Sequence, residues 1–209
     1  MLKTFGFLIS RGSLLGCLNR STRFYSSSTT TSIPDIGDKG NDMIAMAKDM
    51  QSLLKYKDEK GIVFSDKEWF NVLSKRAVAG LPKHMGFEVV DINSAKGELT
   101  ATMVVTDNQM AANGYVHAAS LTTLADTACG FSCFTNLPKG SSGFTTVEMK
   151  LNFIGTATVG DKLTCVSKLI HSGKSTQVYD ASIYNKDKLI TLFRCTEMIL
   201  YPTIKNNNK

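Results

Sequence analysis

The stretch that most constrains this chain runs from Met110 to Phe134, MAANGYVHAASLTTLADTACGFSCF. It opens as a loop, with Ala112, Asn113 and Gly114 as a turn signal. From His117 onward the pattern predicts a helix. Leu121, Leu124, Ala128 and Phe131 recur at helical spacing and make one bulky apolar face. Another face carries small side chains around a single acid: Ala119, Thr122, Thr123, Asp126, Cys129, Gly130 and Cys133. A helix this low in charge is buried on most sides. A buried carboxylate needs partners, or its pKa rises. Two readings of Asp126 stand at this point: a core acid tied to neighbouring hydroxyls such as Thr122 and Thr123, and a functional acid.

Helix geometry adds a constraint. Nine positions separate His117 from Asp126, roughly 13 Å along a helix axis and about half a turn round it. The two cannot act together within one helix. They can act together if a second copy of the helix packs beside the first in a symmetric dimer.

Residues 1–34 do not read as part of the fold. They hold Lys3, Arg11, Arg20 and Arg23 and no acid, and they end in a Ser- and Thr-rich run, SSSTTTS at 26–32. The apolar run from Phe5 to Ile9 is too short to span a membrane. An Arg-rich, Ser-rich, acid-free start predicts a mitochondrial transit peptide, with Arg23-Phe24-Tyr25-Ser26 as a processing site; the alternative is a disordered tail. Without this segment, 20 basic residues face 18 acids, so the overall +6 does not argue for nucleic acid. No stretch predicts a membrane span. Of five cysteines, Cys17 lies in this segment and Cys129, Cys133, Cys165 and Cys195 remain, kept reduced in a mitochondrial matrix. Cys129 and Cys133 are spaced as a metal pair, but no His or acid at ligand spacing completes a set, and small buried thiols are the simpler reading. No metal or other cofactor is expected.

Residues 35–82 predict an N-terminal helical extension. Met43, Met46, Ala47, Met50, Leu53 and Leu54 follow helical spacing. Ser65-Asp66-Lys67-Glu68 is a capping-box signature that opens a second helix to about Val78, which Gly80-Leu81-Pro82 ends. Residues 83–202 read as one domain, followed by a polar tail at 203–209. Its period changes to two, with Phe87 and Val89 in a first strand and Leu99, Ala101, Met103 and Val105 in a second, joined by a hairpin at Asn93 to Gly97. After the long helix, Thr145, Val147, Met149, Leu151 and Phe153 alternate with Thr146, Glu148, Lys150 and Asn152. Three further strands span about 161–171, 175–185 and 188–200. The order predicts an α+β fold, an antiparallel sheet wrapped round one long central helix.

This arrangement resembles the hotdog fold, and its motifs resemble PaaI-type acyl-CoA thioesterases. The residues that carry the likeness are His117-Ala118-Ala119, then Leu124-Ala125-Asp126-Thr127-Ala128, the run from Phe144 to Phe153, Gly173-Lys174-Ser175-Thr176, and Leu192-Phe193-Arg194-Cys195-Thr196. The resemblance implies a sheet order of 1-3-5-6-4-2, a dimer or dimer of dimers, and sites shared by two subunits. It implies hydrolysis of acyl-CoA thioesters with no cofactor.

Residue by residue, the family's catalytic carboxylate falls on Asp126 as general base or orienter of the attacking water. The N–H that donates to the thioester oxygen falls on Ala118, at a helix start where free N–H groups and the dipole suit an oxyanion. The family's His-Gly-Gly is His-Ala-Ala here; the donor survives because it is backbone. A water-holding hydroxyl falls on Thr146, with Thr145 as rival. Many relatives carry an Asn six residues before the motif His, where this chain has Ala111. Either the loop is rebuilt so that Asn113 serves, or the polarising amide is missing. His117 is either bonded to backbone or a proton carrier. Coenzyme A contacts are implied at Phe153, Gly155 and Thr156, and at Gly173, Lys174 and Ser175, with Lys174 either on a phosphate or solvated. The competing functions are a non-catalytic acyl-CoA-binding hotdog protein and a hydroxyacyl-thioester dehydratase.

A reporter fusion lacking residues 1–34 is expected to move from mitochondria to the cytosol. Unchanged mitochondrial location under the microscope would overturn the targeting reading.

Overall fold

The computed structural model describes residues 43–203. The expected transit peptide and the tail from 204 on lie outside the described residues. The elements run α1 (Met43–Lys60), α2 (Asp66–Ala77), α3 (Gly80–Met85), β1 (Glu88–Asn93), β2 (Glu98–Val104), α4 (Ala118–Thr135), β3 (Gly143–Phe153), β4 (Lys162–Ser172), β5 (Thr176–Asn185) and β6 (Lys188–Leu200).

Local chemistry accounts for most of these limits. Ser65 caps α2 with both halves of the capping box in place, its side chain accepting from Glu68 N and the Glu68 carboxylate accepting from Ser65 N. The Gly80-Leu81-Pro82 run does not stop helical structure. It opens α3, with Pro82 in a first turn where no N–H is needed. Gly86, in the left-handed region at φ 68°, closes it.

All six strands form one antiparallel sheet in the order β1-β2-β4-β5-β6-β3. This corrects the expected 1-3-5-6-4-2. The short connections dictate the difference. A 3-10 turn at Ser94–Lys96 makes β1 and β2 neighbours, and tight hairpins do the same for β4, β5 and β6. The long path through α4 carries β3 across to the far edge.

The β3 alternation is also corrected. A bulge at Val147 shifts the register between Thr146 and Glu148, so that Thr146 pairs with Glu197 whereas Met149 pairs with Cys195. Thr146, Met149, Leu151 and Phe153 therefore share the face toward α4, and Glu148, Lys150 and Asn152 take the other.

Helix α4 lies against that inner face. Leu121, Leu124, Ala125 and Ala128 are buried, and Phe131 packs partly buried against Phe87 in an edge-to-face contact. The small-residue face divides: Cys129 and Cys133 sink into the core, while Thr122, Thr123, Asp126 and Gly130 stay half-buried and Ala119 is exposed.

The N-terminal helices belong to the same core. Met50, Leu53 and Leu54 of α1 are buried, and Ala47 is exposed. Asp58 accepts from Gly140 N at 2.7 Å, and Asp66 accepts from both the N–H (2.9 Å) and the hydroxyl (2.6 Å) of Ser94. Trp69, 2% exposed, packs edge-on against Phe64 and against Phe134 near the end of α4. No helix among the described residues is long and apolar enough to cross a membrane.

Phe134→Ala removes the aromatic partner that joins the extension to α4. We expect a loss of about 3–5 kcal/mol in urea unfolding, with a red shift of the emission of Trp69, the protein's sole tryptophan. A loss under about 1 kcal/mol, far below the usual cost of such a cavity, would show that the contact does not hold the extension in place.

Candidate active site

The start of α4 is built by its cap. His117 has extended backbone angles, and its ring Nδ1 accepts from Ala119 N at 2.9 Å. A neutral ring that accepts at Nδ1 carries its proton on Nε2. Ser120 N and Leu121 N donate to the His117 carbonyl. Among the described residues none accepts from Ala118 N, which leaves that N–H at the positive end of the helix dipole.

The loop before it is a small hairpin. Met110 bridges Val116, Ala111 N donates to Tyr115 O, and Gly114 takes φ 82°. Asn113 sits exposed at the tip, where its side-chain oxygen accepts from Tyr115 N at 3.2 Å. The amide oxygen is thus committed to its own turn.

Two turns further along α4 lies Asp126. Its carboxylate is not tied to Thr122 or Thr123, whose hydroxyls donate back to the carbonyls of Ala118 and Ala119 at 2.9 Å. Its partner is Thr146 on β3, with Oγ1 3.4 Å from Asp126 Oδ1. Burial pushes the Asp126 carboxyl above its ordinary value, and the Thr146 hydrogen bond opposes that rise. Thr145 pairs with Met198 on the opposite face of the sheet, so of the two threonines only Thr146 meets Asp126.

The residue that the sequence reading does not single out is Glu197. Its Oε1 lies 3.3 Å from the same Thr146 hydroxyl and 3.3 Å from Cys195 Sγ. The signal was an acid at an apolar position of β6, in the alternation Phe193, Cys195, Glu197, Ile199. The thiols beside it are quiet. Burial pushes Cys129 and Cys133 well up and Cys165 up to about 12. Among the described residues no three His, Cys, Asp or Glu side chains are grouped to hold a metal ion.

The remaining candidate residues fall into two places. Gly155 N donates to Ile190 O, and a Cβ there would come within 2.7 Å of Ile190 Cγ2, so this glycine is needed for packing against β6. Thr156 is exposed, and Val116 N donates to Ala157 O, which sets the 153–158 segment beside the start of α4. Gly173, Lys174 and Ser175 form the β4–β5 hairpin, closed by Gly173 N to Thr176 O; Lys174 O accepts from the Tyr201 hydroxyl. That hairpin borders the other end of α4, where Gln177 donates to Asn136 O. The two segments therefore flank opposite ends of an 18-residue helix about 27 Å long.

Comparisons with known proteins bear on the family and the fold. The sequence profile described as the thioesterase superfamily matches residues 113–191, from the hairpin before α4 into β6. The chain is 30% identical over 133 residues to the acyl-coenzyme A thioesterase PaaI of Escherichia coli, covering 62% of this chain and 89% of that protein. It is 29% identical over 118 residues to the 1,4-dihydroxy-2-naphthoyl-CoA hydrolase of Listeria monocytogenes, covering 56% and 93%. The solved structure of the E. coli PaaI protein superposes with a TM-score of 0.52 at 29% identity, over 58% of this chain and 84% of that one. With the six-stranded sheet, its enclosed helix and a relative matched over nearly its whole length, the chain belongs to the thioesterase superfamily as a PaaI-type member with the hotdog fold.

Proposed function

We propose that this protein hydrolyses acyl-CoA thioesters to a free acid and coenzyme A, with Asp126 of one subunit and Ala118 N–H of another meeting at each site. The observation that carries this is the pairing of a half-buried, proton-hungry carboxylate with an unclaimed N–H on the same helix. Eight positions separate them, about 12 Å along α4. A thioester carbonyl cannot touch both in one chain, so a second copy supplies the missing partner.

The free edge of the sheet supports the same reading. β3 bonds to β6 on one side only, whereas α2 packs on β1 at the other edge. The inner face of β3 is left open beyond α4, with Met149 at 48% and Phe153 at 45% exposure. An exposed, partly apolar edge strand is a template for pairing. Pairing of two copies there closes the groove and brings the ends of two antiparallel α4 helices together.

In this site Asp126 takes a proton from water as the water oxygen bonds to the carbonyl carbon. The Ala118 N–H and the helix dipole stabilise the resulting oxyanion. The C–S bond then breaks, and the thiolate takes the proton from Asp126. Thr146 holds the carboxylate. His117 shapes the helix start, since its Nδ1 is engaged by Ala119 N. Gly173, Lys174 and Ser175 from one subunit and Phe153, Gly155 and Thr156 from the other face the coenzyme. The Arg- and Ser-rich residues 1–34 support a mitochondrial matrix setting.

One observation favours a second reading, a non-catalytic acyl-CoA binder: Asn113 spends its amide oxygen on Tyr115 N at the loop tip. Release of free thiol from an acyl-CoA panel separates the two.

Light scattering at micromolar concentration is expected to give a dimer or a tetramer; a fully active monomer excludes the shared site. Asp126→Asn is expected to lower kcat by roughly 10²–10⁴-fold with little change in acyl-CoA binding. The wild-type pH–rate profile should lose activity toward acid at a pH above the ordinary aspartate range, because burial raises this carboxyl. A carboxyl raised in the folded state stabilises the fold while protonated, and that contribution is lost as pH rises through its folded value. Asp126→Asn should therefore melt no lower than wild type at neutral pH. A folded variant with normal turnover makes Asp126 a core acid and nothing more.

A further inference from the structure

Glu197 has no role in the reaction just described, yet it is the most enclosed acid of the described residues, with 0% of its surface exposed. Its Oε2 meets no hydrogen-bond partner among the described residues. Its Oε1 shares the Thr146 hydroxyl with Asp126, at 3.3 Å and 3.4 Å. A threonine hydroxyl has one proton to give and two lone pairs to offer. Two ionised carboxylates would compete for that one proton and repel each other across it. The Cys195 thiol gives Glu197 Oε1 a second, weaker donor at 3.3 Å, but both contacts of the Thr146 hydroxyl are met only when one acid is neutral and itself donates to Thr146.

We propose that Glu197 is a positioning residue that keeps its proton, donates it to the Thr146 hydroxyl, and so commits that hydroxyl's own proton to the Asp126 carboxylate. The kinetic consequence deepens the proposed hydrolysis and rests on it; the location of the proton does not.

Asp126 is half-buried, so water reaches it in part. Glu197 is closed off, and an ionised Oε2 without a donor there is far costlier than a neutral carbonyl oxygen. The titratable groups of this buried cluster are Asp126, Cys129 and Cys133 on α4, Cys165 on β4, Tyr179 on β5 and Cys195 on β6. Burial pushes Tyr179 and the Cys129, Cys133 and Cys165 thiols up, which keeps those four neutral. Among the described residues no cation acts on Glu197. Burial is the largest influence on its carboxyl and pushes it up, as does the Asp126 charge, against the hydrogen bonds from Cys195 and Thr146. The result is a directed chain from Glu197 through Thr146 to Asp126, which holds the base by its Oδ1.

Infrared difference spectroscopy on the full-length protein at neutral pH tests the proton directly. The carbonyl stretch of a protonated carboxylic acid should be present in wild type and in Asp126→Asn, and lost in Glu197→Gln. Its absence from wild type, or its survival in Glu197→Gln, overturns the proposal whatever the protein's activity. Kinetics test the consequence. The Gln amide can still donate to Thr146, so Glu197→Gln should keep kcat within about 3-fold and leave the acid limb of the pH profile in place. Glu197→Met keeps the volume and loses the donor. It should lower kcat by about 10-fold at unchanged KM, as expected for a slackened base, and move the acid limb upward. An acid limb that moves downward in Glu197→Gln would mean that a negative charge had been removed, and Glu197 would then be ionised in the native enzyme. Should Glu197→Met fail to fold, the infrared comparison with Glu197→Gln still decides.

Discussion

The seating of α4 against the sheet is the contact on which the rest depends. It is close because the helix presents Ala125, Ala128, Cys129 and Cys133, all with no exposed surface, where bulkier residues would hold the layers apart. Two buried hydroxyls lock the register. Ser132 donates to Gly97 O at 2.9 Å, and Ser167 reaches the carbonyls of Ala128 and Leu99 at 3.3 Å. Gly97 must be glycine twice over: it takes φ 61°, and a Cβ there would collide with Leu169. Once the helix is fixed, its N-terminus, Asp126 and the edge strand have fixed places too. The extension acts at the other end of the same helix, where Trp69 meets Phe134.

Much of this was legible because local chemistry and tertiary demand agree. The capping box at Ser65 and Glu68 starts α2 as expected, and the β4, β5 and β6 limits fall within a residue or so of the alternating pattern. What was not legible depended on long-range geometry. The strand order follows from which connections are short, and a family likeness misassigned it. Helix α3 hid behind a Gly-Leu-Pro run that reads equally as a stop or a start. The bulge at Val147 left no mark in the alternation, because Thr146 and Val147 suit either face of a strand.

The site divides along the same line. A lone acid among small residues on an apolar helix pointed to Asp126 without any fold. Its partner did not follow from proximity in sequence: Thr122 and Thr123 were nearer, but a threonine inside a helix reaches its own backbone first. The choice between Thr145 and Thr146 needed the sheet, since adjacent residues of a strand point opposite ways. Glu197 needed both the strand and its neighbour across the ladder. Asn113 shows the reverse case, a residue of the right type whose hydrogen bond is spent locally.

The bulge at Val147 also sets how this lineage can change. It acts as a phase shift in the strand. Upstream of it Thr146 meets the acids; downstream of it Met149, Leu151 and Phe153 take the face toward α4 while Glu148, Lys150 and Asn152 face away. Loss of Val147 alone would remove the extra residue and leave Thr146, Met149, Leu151 and Phe153 on one face in plain alternation. Straightening the strand at its present length would instead turn Glu148, Lys150 and Asn152 toward α4 beside Thr146, so a descendant can shed the extra residue but cannot flatten the bulge around it without turning an oily wall into a charged one.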